Sequence, residues 1–178
     1  MNQRVNPDDL AGLGAAMTPQ ATWRRLTRQA NAAFQAGDAG AAQRGYDAAL
    51  SEAARLFDLL AAGGANPVPV AAIWVISCHN LAEAALRDGQ PDRAEAHYRA
   101  AFDRLLQVAR DVSAPLGLRM DCAANLKQAT IALVGFLQAN GTPVLAIAET
   151  ITRARIAVAR VSRRAARLAD QPAPRRPS

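Results

Sequence analysis

The residues of this chain that could do chemistry lie mainly between Ser77 and Arg110, where Cys78, His79 and His97 occur close together. Cysteine and histidine are zinc ligands, and they also form nucleophilic pairs. Successive residues of a helix point about 100° apart, so Cys78 and His79 cannot both face one ion without distortion. The sequence offers no fourth ligand at useful spacing and no orienting third group for a nucleophile. We therefore expect no metal site, no cofactor and no enzymatic activity.

Composition predicts an all-α protein with one domain. The chain has 178 residues, which is long enough for one continuous core, and only 4% of them are aromatic. Alanine, leucine and arginine are abundant, and these residues favour helices that pack closely through small side chains. The chain has two cysteines, Cys78 and Cys122, and we expect both to be reduced residues of the core.

The amino terminus and the apolar segments indicate where in the cell the protein is expected. Residues 1–17 lack the basic start and apolar stretch of a secretory signal. The longest nearly apolar run, Val68 to Ile76, is interrupted by Pro69 and is too short to span a bilayer. We therefore expect a cytoplasmic protein without a membrane span. Its richness in alanine and arginine suggests a bacterial source with a GC-rich genome.

Turn signals and apolar spacing divide the chain into six predicted helices. Residues 1–18 are expected to be a flexible segment, 19–168 a helical domain and 169–178 a disordered basic tail. The breaks between helices are expected at Gly37-Asp38, at the Gly- and Pro-rich segment 62–69, at Gly89-Gln90-Pro91, at Ser113-Ala114-Pro115 and at Asn140-Gly141.

A repeat of fixed length organises these helices. Gly37, Gly89 and Gly141 are each 52 residues apart, and the same shift superimposes Tyr46 on Tyr98. A constant period of this size is typical of stacked helical hairpins. The first two units agree well, and the third is degenerate, as terminal repeats commonly are.

The chain resembles tetratricopeptide-repeat proteins over about residues 20–160. In the first unit the matching positions are Leu26, Ala30, Gly37, Ala42, Tyr46 and Ala49. In the second unit they are Leu81, Ala82, Gly89, Ala94, Tyr98 and Ala101. The chain departs from the family where Ala33 and Ala85 replace the expected tyrosines, and its period of 52 exceeds the family's length of about 34.

This resemblance implies a right-handed α-solenoid of helical hairpins, closed by a basic carboxyl-terminal capping helix. It also implies a groove, lined by the first helix of each unit, that binds a peptide or helix of another protein. The chain would then be an adaptor or chaperone. Transferred to this sequence, the groove positions and their apolar walls are Arg24, Arg28, Asn31, Gln35, Ile76, His79, Asn80, Glu83, Leu86, Arg87 and Gln128.

The last predicted helix supports a second hypothesis. The net charge of the whole chain is +6, and residues 152–178 carry +7 of charge, so the remainder is close to neutral. Apolar residues of this helix recur at alternating spacings of four and three, at Ile147, Ile151, Ala154, Val158, Val161, Ala165 and Leu168. The stripe could be a cap on the third unit or the seam of a homodimer. Its arginines could instead bind an acidic partner, a membrane surface or nucleic acid, which would make the chain a nucleic-acid-associated or regulatory protein.

Overall fold

A computed structural model describes residues 20–63 and 68–170, and within these ranges the chain forms α-helices and no β-strand. The six helices are α1 (Ala21–Gln35), α2 (Ala39–Ala61), α3 (Val70–Arg87), α4 (Pro91–Arg110), α5 (Leu116–Ala139) and α6 (Val144–Ala169). The prediction of an all-α fold with six helices is confirmed. The expectations for residues 1–18 and for the tail lie outside the described residues, except that Ala169 ends α6 and Asp170 follows it.

The turns at Gly37, Gly89 and Gly141 share one conformation. Each glycine has a positive φ, of 80°, 68° and 72° respectively, which a residue without a Cβ adopts at little cost. The residue after each glycine donates its amide to a carbonyl five residues earlier, in the bonds Asp38 to Ala33 (3.0 Å), Gln90 to Ala85 (2.8 Å) and Thr142 to Leu137 (3.0 Å). This is the Schellman pattern, which ends a helix by satisfying its last carbonyls. The period of 52 therefore has a common structural basis at all three turns.

The helices form three hairpins that pack in chain order. Each helix contacts the next one, α3 also packs on α5, and α4 also packs on α6. Side chains of α1 reach α3, because the Trp23 indole donates to the Ser77 hydroxyl over 2.8 Å inside the core. Across the ranges 20–63 and 68–170, none of the helices combines the length and hydrophobicity that crossing a membrane requires.

The first hairpin closes where Gly45 of α2 meets Ala30 of α1. A Cβ added at Gly45 would lie 2.8 Å from the Ala30 Cβ and 3.1 Å from its Cα, which is closer than real Cβ contacts allow. Backbone atoms of α1 cannot yield as a flexible side chain would, so the two helices would have to separate. Glycine at position 45 therefore sets the distance between α1 and α2.

We expect Gly45→Ala to lower the free energy of unfolding by about 1–3 kcal/mol, because the added methyl group overpacks the crossing. Urea denaturation followed by circular dichroism measures this change. The control is Gly135→Ala in α5, where an added Cβ meets nothing within 4 Å. There the better helix propensity of alanine should stabilise the protein by up to about 1 kcal/mol. Two changes of the same sign would contradict this account of the α1–α2 crossing.

Candidate functional site

The structure separates the predicted groove residues into three groups by exposure. Arg28, Gln35, Leu86, Arg87 and Gln128 are exposed, and Arg24, Asn31 and Glu83 are partly buried. The other three, Ile76, His79 and Asn80, are buried in α3 and are at most 9% exposed. The predicted groove therefore keeps polar side chains at its surface, and its central residues belong to the protein core.

The position of α3 explains why those three residues are buried. This helix packs against α2, α4 and α5, and it also contacts α1, which sends Trp23 to it and accepts a hydrogen bond from its Arg87. More than half of its residues are buried, from Val70 near its start to Ala85 near its end. A helix that is covered on most sides has little surface left for a partner. The expectation that Ile76, His79 and Asn80 line an open groove is corrected accordingly.

Asn31 and Glu83 serve the packing of their own hairpins. The Tyr46 hydroxyl donates to Asn31 Oδ1 over 2.8 Å, and the Tyr98 hydroxyl donates to Glu83 Oε1 over 3.1 Å. Both members of each pair are related by the shift of 52 residues, so the first two hairpins share this bond across their helices. Tyr98 in addition has its pKa raised well above the usual range by burial and by the nearby Glu83 carboxylate, so its hydroxyl remains a donor.

Arg87 joins the first hairpin to α3. Its guanidinium donates to the Phe34 carbonyl over 2.9 Å and lies 4.7 Å from the centroid of the Phe34 ring. The carbonyl belongs to the last turn of α1, where a positive charge is favourable. Arg87 is thus placed to hold α1 against α3, although part of its side chain is exposed.

The candidate nucleophile Cys78 and the second cysteine, Cys122, are both buried. Burial raises the pKa of the Cys78 thiol to about 12, and burial with the neighbouring Asp121 carboxylate raises that of Cys122 to about 12. Both side chains are therefore protonated thiols near neutral pH and poor nucleophiles. The part of the chain that the structure describes brings no three histidine, cysteine or acidic side chains together as metal ligands.

An open groove lies elsewhere, between α5 and α6. We call it the α5–α6 groove; it has a volume of about 540 Å³. Its lining residues are Lys127, Thr130, Ile131, Val134, Ile151, Ala154, Arg155, Val158 and Ala159. Most of them are apolar, and Ile131 and Ile151 are 58% and 37% exposed. An apolar concave surface of this kind is a usual place for a binding site.

The groove arises because the apolar face of α6 is wider than the part of it that the core covers. Ile147, Ala154, Ala157 and Val161 of α6 are buried, since the helix packs on α4 and α5. Ile151 and Val158 lie beside this buried face and reach the groove. The stripe seen in the sequence is therefore divided between the core and an open surface.

The charge at the groove is positive. Lys127 of α5 and Arg155 of α6 are its charged lining residues, and no carboxylate lines it among the described residues. The rest of the lining is hydrocarbon, apart from the Thr130 hydroxyl, which donates to the Leu126 carbonyl. The α5–α6 groove thus combines an apolar floor with basic side chains.

The sequence pattern predicted the α6 side of this groove and missed the α5 side. It placed Ile151 and Val158 on the stripe of the last helix, and it gave no role to Ile131 and Val134 of α5. The available signal was that α5 carries apolar residues around most of its circumference, which exceeds what packing on its neighbours requires.

A family model described as a protein of unknown function (DUF2753) matches residues 21–167, from the first residue of α1 almost to the end of α6. The chain belongs to this family. The match includes both helices of the α5–α6 groove, so the DUF2753 region comprises all three hairpins. No curated protein and no solved structure matches the chain.

His79 should make the folded protein less stable as the pH falls. Burial lowers its pKa to about 4 from an ordinary value of 6.5, despite the opposing effect of Glu83. Below pH 6.5 the His79 imidazole is therefore protonated in the unfolded chain, whereas in the folded chain it stays neutral down to about pH 4. Stability is complete above pH 6.5 and is lost as the pH falls toward 4.

We expect the free energy of unfolding to drop by about 1 kcal/mol from His79 alone between pH 7 and 5.5, a range in which most carboxylates stay ionised. Urea denaturation at the two pH values gives the difference, and His79→Gln should reduce it. His97→Gln is the comparison: burial also lowers the pKa of His97, but this residue is less buried, so its removal should reduce the pH dependence less than His79→Gln does. A pH dependence that survives in His79→Gln unchanged would contradict the assignment.

Proposed function

We propose that this protein is a non-enzymatic interaction module that holds an amphipathic helix of a partner protein in the α5–α6 groove. The observation that carries the proposal is the open apolar floor formed by Ile131, Val134, Ile151 and Val158. Grooves between helices bind partner helices by accepting apolar anchors spaced three or four residues apart.

The proposal includes a tetratricopeptide-like arrangement of the three hairpins. It is supported by the glycine turns repeated every 52 residues and by the matching Tyr46 and Tyr98 bonds. The contacts of α3 with α5 and of α4 with α6 are the kind that stacked hairpins make. In such a stack each hairpin covers the face of the one before it, and the last hairpin retains an uncovered face. A right-handed α-solenoid is the arrangement that these features favour.

The size of the groove suits a short stretch of helix. Its lining residues extend over 127–134 of α5 and 151–159 of α6. At 1.5 Å per residue these segments are about 11–12 Å long, or roughly two helical turns. A partner helix would therefore insert two or three apolar side chains.

Charge favours a partner with acidic residues beside its apolar stripe. Such a helix would bring carboxylates to Lys127 and Arg155, which have none in the groove lining. A second copy of this chain, packed groove to groove, would instead bring the basic residues of the two copies together. The predicted homodimer through the last helix is thus less favourable at this surface than an acidic amphipathic helix.

The groove predicted from the sequence, along α1, α3 and α5, offers weaker support for binding. Of its five exposed members only Leu86 is apolar, and the apolar Ile76 is buried. Polar side chains on a solvated face orient a partner but contribute little apolar burial. The α5–α6 groove therefore carries the binding energy in this proposal.

Two model peptides test the proposal. Both are amphipathic helices with one leucine stripe, flanked by glutamates in the first peptide and by lysines in the second. We expect the glutamate peptide to bind the full chain at least about tenfold more tightly by fluorescence anisotropy, because only it complements Lys127 and Arg155. Equal affinities for the two peptides would refute the charge argument.

A pair of matched variants locates the site. Ile151→Asn removes an apolar wall of the groove and should weaken the glutamate peptide about tenfold. Ile156→Asn is the control, because Ile156 is exposed on the same helix but does not line the groove. Its affinity should stay within about twofold of wild type. Equal losses in both variants, or a dimer in sedimentation that Ile151→Asn dissociates, would overturn the proposal.

A further inference from the structure

A second cavity, on another side of α6, is lined mainly by arginines. We call it the arginine cavity; it has a volume of about 390 Å³ and lies between the end of α4, the start of α5 and the middle of α6. Its lining residues are Ala109, Arg110, Val112, Arg119, Ala157, Arg160 and Arg164. We infer that this cavity binds a small soluble molecule that bears a diphosphate group.

Arg119 is the central residue of this cavity. It is only 8% exposed, and its Nε donates to the Ala109 carbonyl over 3.3 Å. Its two terminal nitrogens form no hydrogen bond or ion pair with any residue in 20–63 or 68–170. Although the residue is largely buried, these two nitrogens remain accessible to solvent. The orientation of Arg119 is thus fixed from the protein side, and its remaining donors are available to a ligand.

Three more arginines line the same cavity, and none of them has a counter-ion among the described residues. Arg160 and Arg164 are one turn apart on α6, and Arg110 is in the last turn of α4. None of them has a carboxylate within 4.0 Å among the described residues. Like charges that line one cavity repel each other, so an anion bound among them would relieve the repulsion.

The neighbouring acid is already engaged. Asp111 accepts hydrogen bonds from the Ser113 amide over 2.8 Å and from its hydroxyl over 2.6 Å. These two bonds, with a smaller effect of Arg119, lower the pKa of Asp111. Its carboxylate does not line the cavity and forms no ion pair with the four arginines.

The chemistry of the four side chains indicates the ligand class. Guanidinium groups present paired donors that match the oxygens of a phosphate, and four of them suit an anion with several charges. A concave space encloses a compact group better than an extended nucleic-acid backbone. The cavity also has apolar lining at Ala109, Val112 and Ala157, which leaves room for an uncharged part of the ligand.

The arginine cavity is separate from the α5–α6 groove. No residue lines both, because Arg160 and Arg164 lie on a different face of α6 from Ile151 and Val158. The inference therefore does not depend on the proposed function, and either can fail alone.

Isothermal titration of the full chain with inorganic pyrophosphate tests the inference. The double variant Arg160→Gln, Arg164→Gln should weaken binding at least about tenfold, because it removes two of the four donors. The matched control is Arg163→Gln, Arg167→Gln, which removes the same charge from the same helix outside the cavity. Its affinity should fall by no more than about twofold.

Three results would overturn the inference. The first is an absence of pyrophosphate binding by the wild-type chain at moderate salt. The second is equal weakening in the two double variants, which would indicate only general attraction to a basic helix. The third is binding to a single-stranded oligonucleotide or to vesicles containing phosphatidic acid that pyrophosphate does not compete, which would assign the arginines to a nucleic acid or a lipid surface.

Discussion

The structure depends on the burial of α3. This helix is apolar around most of its circumference, so the hydrophobic effect requires neighbours on almost every side. The hairpins before and after it supply them. Of the polar groups inside α3, Ser77 accepts from Trp23 and donates to the Ile73 carbonyl, whereas His79 Nε2 and Asn80 Nδ2 have no hydrogen-bond partner among the described residues. The same burial that stabilises the centre of the stack removes it as a binding surface. Our proposal therefore places recognition at the last hairpin, where none of the described helices covers the α5–α6 groove.

The last hairpin combines two different surfaces on one helix. The buried face of α6 holds it on α4 and α5, and its flanks carry an apolar groove on one side and the arginine cavity on the other. The arginines of α6 are all exposed, so none of them carries an unpaired charge into the core, where burial would be costly. Arg153 has a protein partner, at 3.6 Å from Asp103 of α4. The net positive charge of the chain is thus concentrated around the last hairpin.

Much of the fold could be predicted because its signals are local. The positive-φ turns need glycine, the helices begin and end near proline and glycine, and the spacing of small residues marks the crossings. The period of 52 followed from three glycines and is expressed in three equivalent turns. The candidate site was predicted less well. Ile76, His79 and Asn80 were assigned to a surface by their place in a repeat, but exposure depends on which helices pack over a position.

The amino-acid sequence by itself determined that the chain is helical, where its helices turn and that its basic residues concentrate near the carboxyl terminus, because each of these follows from residues close together in the chain. Only the tertiary structure decided which faces of the helices remain open. The α5–α6 groove needs Ile131 beside Ile151, and the arginine cavity needs Arg119 beside Arg164. Those pairs are brought together by packing between helices, and no spacing along a single helix encodes them.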